Sequence, residues 1–379
     1  MQLIMNADHE KNLHFSSFLK AILTMLFWTL LYLILTQLRN ILYPIFLAIL
    51  FSFLLRPIVL LLTKKRIPLF LSVIISLTIG VSIIYGSIFF ISSQISHVIS
   101  ESPQLIKQAT NNLNTALTYI HQTFDVSVED QKIWLKENLN TISTSWTKSL
   151  KKTLGATTQT ILTFCILPVY VFFFLYYSDR FRNFLLIIFK NAHKVDAPDI
   201  LRKLSFVTQR YMSGMFLVVF ILATVNSLGF YLIGLKHPVL FGIIAGILNF
   251  IPYFGTIFGF SIPFTVSLVI MDSPFYAAKI LLMFFIIQFT ENNILTPNII
   301  GKKLKINPLV IIIGVLFGGS VWGLPGMFVI VPVIAMIKII CMSIPNLQAW
   351  GFLLGIEQFT THRENETNIK NGLKAEKQP

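Results

Sequence analysis

Residues 237–259 read His237-Pro-Val-Leu-Phe-Gly-Ile-Ile-Ala-Gly-Ile-Leu-Asn249-Phe-Ile-Pro252-Tyr-Phe-Gly255-Thr-Ile-Phe-Gly259. Apolar side chains fill both ends of this stretch, and its middle, Asn249 to Gly255, holds residues that a helix tolerates badly. Proline removes a backbone donor and clashes with the preceding turn. The surrounding apolar segment runs from 238 to 270. At 1.5 Å per residue a straight helix of that length would reach ~50 Å, against a hydrocarbon core of ~30 Å. It is too long for one untilted crossing and too short for two crossings with a turn. A second segment, 308–340, has the same length and is broken in the same way, by Gly318-Gly-Ser-Val-Trp-Gly323-Leu-Pro325-Gly326. Unpaired backbone groups cannot face lipid; they must lie within protein or line a wet cavity. Two re-entrant helical hairpins, each dipping into the bilayer and returning to its own side, satisfy both limits.

The rest of the chain is of the same material. Of 379 residues, 55% are hydrophobic and only 12% charged, about half the charge a soluble body carries. A soluble enzyme or a secreted domain is thereby excluded. Six further stretches suit full crossings: 18–37, 41–62, 67–91, 153–178, 212–234 and 275–293. The expected fold is an all-α polytopic membrane protein of about eight membrane segments, six full spans plus the two hairpins. The first apolar run is too long for a signal-peptide core, has no small-x-small cleavage site, and reads as an uncleaved first helix.

The formal net charge of +14 would suggest nucleic acid in a soluble protein; here it bears on topology, and no nucleic-acid partner is expected. With both termini cytoplasmic and hairpins that do not cross, nineteen Lys+Arg fall inside and nine outside. A crossing first hairpin would move Lys302, Lys303 and Lys305 outside, so the positive-inside rule favours hairpins. Four regions follow: a three-span part, 1–91; a polar insert, 92–152; a second membrane region, 153–356; and a disordered cytoplasmic tail, 357–379. Within the insert, apolar residues recur at helical spacing from Ile95 to Trp146. Two amphipathic helices are expected, split near Phe124.

Nine of the nineteen glycines lie in the two hairpins. They form G-x-x-x-G pairs, Gly242/Gly246, Gly255/Gly259, Gly314/Gly318 and Gly319/Gly323, which let backbones approach closely in lipid. The segments also echo each other: Leu235-Lys-His-Pro238 resembles Leu304-Lys305-Ile-Asn-Pro308. Interrupted segments of opposite orientation mark the central site of many transporters. Asn249, Pro252, Tyr253, Gly255, Ser320 and Pro325 are the expected solute path. The hairpins carry no acid, which suits a neutral, hydroxyl-rich solute or an ion held by carbonyls. Glu291, beside a span, is expected either to cap or pair, Arg56 being one candidate partner, or to gate or carry a proton together with Asn292 and Pro297. An acid in lipid is costly enough to need a partner or a task.

Other chemistry is not signalled. No G-x-x-x-x-G-K-[ST] and no G-x-S-x-G occurs, so neither an ATP motor nor a hydrolase is expected. The seven histidines show no ligand spacing and the two cysteines no pairing motif, so no metal and no cofactor is expected.

Residues 237–259 resemble the autoinducer-2 exporter family of bacterial permeases. So do Glu291-Asn-Asn-Ile-Leu-Thr-Pro297-Asn-Ile-Ile-Gly301-Lys and Asn307-Pro308-Leu-Val-Ile through Gly318-Gly to Val331-Pro332. The order of segments matches over almost the whole chain. The resemblance implies a bacterial inner-membrane transporter, an exporter of autoinducer-2 or of another small polar solute, and a homo-oligomer, plausibly a pentamer. Some members are associated with sodium/proton exchange, so a monovalent cation is the alternative cargo. A non-transporting scaffold that recruits partners through the insert is the third reading. The main expectation is alternating access without ATP.

Overall fold

The computed structural model describes residues 2–124, 158–189, 196–271, 273–300 and 305–356. Its named elements are all helical. The only strand-like feature among the described residues is an isolated bridge between Ile306 and Gly355. In chain order they are α1 (Gln2–Gln37), α2 (Arg39–Lys64), α3 (Leu69–Phe124), α4 (Thr158–Tyr176), α5 (Ser178–Phe189) and α6 (Ala197–Ile233). The first broken segment follows as α7 (Pro238–Leu248) and α8 (Phe254–Ile270). Then come α9 (Pro274–Thr290), a π turn at Glu291–Leu295 and α10 (Thr296–Ile299). The second broken segment is α11 (Pro308–Trp322) and α12 (Leu324–Ser343), closed by α13 (Gln348–Leu354).

Among the described residues six helices are long and apolar enough to cross a membrane: Phe18–Gln37, Arg39–Lys64, Leu69–Glu101, Ala197–Ile233, Pro274–Ile299 and Leu324–Ser343. Five coincide with expected spans. The expected span 153–178 is described only from Thr158, and α12 supplies the sixth instead. Large apolar side chains such as Phe89, Leu232 and Phe220 stand out from the helices. Such a surface suits a lipid solvent and would be a liability in water.

Two helices run past the expected membrane limits. α3 is 56 residues long and passes through residue 91 without a break. Its side-chain composition changes there, but its backbone pattern does not. It is described as far as Phe124; the expected division of the insert near that residue and its second helix lie outside the described residues. α6 begins at Ala197 rather than near 212. The Asp196 side chain caps it by accepting the Asp199 N–H at 3.2 Å. Gly234, at φ 88°, ends it in the left-handed conformation, with its N–H on the Phe230 and Tyr231 carbonyls.

α6 is the axis of the bundle. Its Met212 and Val218 pack with Leu50 of α2, Ile251 of the first break, Val315 of α11 and Val329 of α12. Both broken segments fold back on themselves beside it. The base of the first is held by the polar part of α3. Asn112 Nδ2 donates to the Val269 and Met271 carbonyls at 3.1 and 3.0 Å, and Glu101 meets His237 at 3.2 Å. The base of the second is held by Lys338, whose ammonium donates to the Lys305 carbonyl at 3.0 Å. There Asn307 and Ile356 close the bridge to α13. Phe230 of α6 packs beside the first base, with Leu235 and Phe241. Val207 packs beside the second, with Ile306 and Ile334. Those two α6 positions are roughly 34 Å apart along a helix. The two hairpins therefore start from opposite ends of α6.

Candidate solute path

The first break is a tight turn over Asn249–Tyr253. Tyr253 carries φ 65°, and Phe254 begins the returning arm. Gly255 makes this turn possible: a Cβ there would lie 1.6 Å from the Leu248 carbonyl oxygen. Thr256 Oγ1 donates to Asn249 Oδ1 at 3.2 Å and ties the two arms across the turn. Glycines also set how closely the arms pack. A Cβ on Gly242 would meet the Ser227 nitrogen of α6 at 2.4 Å, and one on Gly259 would meet Ala245 Cα at 3.0 Å. Gly246 lies equally close to Ala223.

The second break is shorter, a single residue. Gly323, at φ 65° and ψ −144°, separates α11 from α12, and Pro325 follows within the first turn of α12. The arms cross at Gly318 and Gly326, each of whose added Cβ would strike the other's carbonyl. Gly314 faces Ile334, and Gly319 faces the flexible end of Met327. The tip is fastened to the first span: Trp322 Nε1 donates to the Leu35 carbonyl at 3.0 Å, and its ring lies 5.2 Å from that of Phe46.

The two hairpins meet through aromatic rings. Phe250 lies 5.0 Å from Phe216 of α6 and 5.0 Å from Phe328 of α12. The expected path residues therefore separate into two places. Asn249, Pro252, Tyr253 and Gly255 surround the first turn, with Tyr253 48% exposed. Ser320 is exposed at the second tip and bonds its own helix at the Phe317 carbonyl, and Pro325 sits beyond it.

Asn249 does meet a different set of polar groups. A cavity of about 30 Å³ between the first hairpin, α6 and α9 is lined by Asn226, Asn249, Thr256 and Gln288 among apolar residues. Gln288 Nε2 in turn donates to Glu291 Oε2 at 2.6 Å, and Thr296 Oγ1 donates to Glu291 Oε1 at 2.7 Å. Glu291 is buried and opens the π turn; single π turns within helices are frequent at functional sites. Asn292 and Asn293 point out of the bundle, Asn293 to the Phe289 carbonyl, and Pro297 is half-buried in α10. Arg56 reaches Ser205 at 3.5 Å rather than Glu291. Asn226, bonded to the Leu222 carbonyl, was not singled out in the sequence, though a lone amide in an apolar span is the usual signal. No group of three or more potential metal ligands occurs among the described residues.

A second, much larger cavity of about 860 Å³ lies between α2, α4, α5 and α6, at the end of the bundle that carries Lys64 and Lys65. No local pattern announces it, because its walls come from positions 49 to 336.

A bundle of apolar crossing helices around two broken, glycine-packed hairpins defines a polytopic membrane protein of the transporter class. Residues 21–346 match the family model described as AI-2E family transporter, and the chain belongs to that family. YueF of Bacillus subtilis is similar to it, 29% identical over 316 residues that cover 80% of this chain and 84% of YueF. The AI-2 transport protein TqsA of Escherichia coli is 22% identical over 323 residues, 83% of this chain and 89% of TqsA. YrrI of Bacillus subtilis is 38% identical over 130 residues, 34% of this chain and 36% of YrrI. The protein is a membrane transporter.

Proposed function

We propose that the polar row Thr256–Asn249–Asn226–Gln288–Glu291 lines the route of a small polar solute, and that both hairpins are re-entrant and enter from opposite faces of the membrane. The single observation that carries this reading is the 30 Å³ cavity lined by Asn226, Asn249, Thr256 and Gln288, the last of which donates to Glu291. A void needs about 10–15 Å³ of such volume to hold one water, so this one takes a water or two and no solute. It represents a closed state, and opening requires the glycine-packed first hairpin to move against α6. No ATP-binding motif accompanies the row, so the movement is alternating access driven by solute or ion gradients. Autoinducer-2 is the first cargo to try, by analogy with TqsA. The bacterial inner membrane, cytoplasmic termini and a homo-oligomer, with five copies as the first arrangement to test, complete the proposal.

The test is purified protein in sealed vesicles, assayed with autoinducer-2, a panel of small polyols and sodium. The variant Asn249→Leu removes the amide and fills the void. It should abolish solute flux while the protein still inserts and purifies. Full flux in that variant would place the route elsewhere. Glu291 supports a second reading, exchange of a monovalent cation for a proton, because it is a buried carboxylate held by two neutral donors. Under that reading Glu291→Gln abolishes pH-dependent sodium efflux, and unchanged efflux removes Glu291 from the mechanism.

A further inference from the structure

The 860 Å³ cavity carries chemistry of its own. Its walls are largely apolar, with Phe53, Phe174, Leu185 and Leu204 among them, and three arginines reach it, Arg56 from α2, Arg182 from α5 and Arg202 from α6, the last paired with Asp199. Both acids at the cavity are already engaged. Asp196 caps α6, and Asp199 accepts Arg202 at 2.7 Å and Lys203 at 2.6 Å. Among the described residues no carboxylate lies within 4.0 Å of Arg56 or Arg182. Among the described residues Arg56 has the 3.5 Å contact with Ser205 Oγ, at the outer limit of a hydrogen bond.

Arg56 is half-buried beside membrane spans and Arg182 is exposed at the cavity's rim; with no carboxylate partner there, both leave donors that an anion or water would complete. A guanidinium presents a planar fork of donors that matches phosphate or carboxylate. Phe181 and Ile187 of the flanking helix α5 are exposed, at 47% and 70%, while its first turns carry Asp179, Arg180 and Arg182. Such a helix suits the boundary between headgroups and acyl chains. The cavity's size and mostly apolar lining are those of an ordinary small-molecule site.

We propose that this cavity binds an amphiphilic anion: a phosphate or carboxylate head between Arg56 and Arg182, with an apolar body along the phenylalanine and leucine walls. The site is independent of the solute path above. It is built on residues 196–209 of α6, at the end opposite Asn226. Anionic lipid and a water-soluble organic anion share this chemistry.

The experiment uses the full chain, stripped of lipid in neutral detergent and reconstituted in phosphatidylcholine nanodiscs. One arm adds phosphatidylglycerol; the other adds butyl phosphate without anionic lipid. Binding is read by native mass spectrometry and thermal shift. Wild type should retain at least one of the two ligands. Arg56→Gln combined with Arg182→Gln should weaken that ligand tenfold or more. Lys279→Gln, which alters a cation stacked on Phe275 and Tyr276, should leave it unchanged. Phosphatidylglycerol alone identifies lipid as the source, and butyl phosphate identifies a soluble anion. Should the double variant fail to fold, salt titration of wild type decides the matter, since binding to the arginine pair must weaken as salt screens it. Absence of both ligands, or binding indifferent to the arginines or to salt, overturns the proposal.

Discussion

Replacing Gly255 with alanine is expected to force open the turn of the first hairpin. The added carbon would stand 1.6 Å from the Leu248 carbonyl oxygen, where real contacts stay beyond about 3.0 Å, so that carbonyl must retreat by at least ~1.4 Å. The obstacle is backbone, which cannot rotate aside as a side chain can. Overpacking of this kind costs ~1–3 kcal/mol or more. Parting the arms also removes the Thr256–Asn249 hydrogen bond, about 1 kcal/mol. Against this, alanine gains up to ~1 kcal/mol of helix propensity over glycine. The net loss is up to roughly 3 kcal/mol, or about 4 °C in Tm for a chain of 379 residues at ~2.1 cal/mol/K of unfolding entropy per residue. Two controls isolate the cause. Gly86 has nothing within 4 Å of its added carbon, and Gly319 meets only side-chain atoms of Met327, Cε at 2.5 Å and Cγ at 3.2 Å. Gly86→Ala should match or exceed wild type, and Gly319→Ala should cost under ~1 kcal/mol as Met327 changes rotamer. The assay is thermal unfolding of the three purified variants in one detergent, with vesicle transport in parallel. A Gly255→Ala protein that unfolds within ~2 °C of Gly86→Ala and transports normally would refute the close crossing of these arms.

Asn112→Ala releases the Val269 and Met271 carbonyls at the base of the same hairpin; hydrogen exchange around Ser267 and Met271 should quicken roughly tenfold for each ~1.4 kcal/mol lost, and an unchanged rate would show that α3 does not hold this base. Trp322→Phe keeps the ring beside Phe46 but loses the bond to the Leu35 carbonyl, which should lower stability by about 1 kcal/mol, read as a small fall in Tm. Single cysteines at Lys236 and Ser273, introduced after Cys165 and Cys341 are replaced, should label from the same face of the membrane if the first hairpin is re-entrant. Labelling from opposite faces would make it a crossing segment.

Much of the fold could be read from local chemistry, and the limits of that reading have physical causes. Pro252 with Gly255, and Gly323 with Pro325, act on the backbone within a turn of themselves, so both breaks fall where the residues say. Of the paired glycines, Gly242, Gly246, Gly255, Gly259 and Gly318 face backbone in the structure, where a missing side chain lets another segment approach, whereas Gly314 and Gly319 face side chains and Gly323 has open space around it. Helix ends were harder to place. Residue 91 marks a change of surroundings, but α3 crosses it intact, because a helix needs its own hydrogen bonds and not a constant solvent. The start of α6 was displaced for the same reason: residues 197–211 are polar enough to leave the membrane and still helical under the Asp196 cap. Long-range partners left the least trace. Glu291 could be recognised as an acid needing company, yet its company is Gln288 and Thr296, three and five residues away, rather than Arg56. Only the π turn brings all three together, and nothing in the sequence encodes that turn plainly. The large cavity was invisible because no stretch of sequence contains it. Arg56 and Arg182 lie 126 positions apart; alone, the first reads as an arginine snorkelling to the membrane surface and the second as one of the charges of a cytoplasmic segment. Only the recess that α2, α4, α5 and α6 wall together brings the two cations to one cavity.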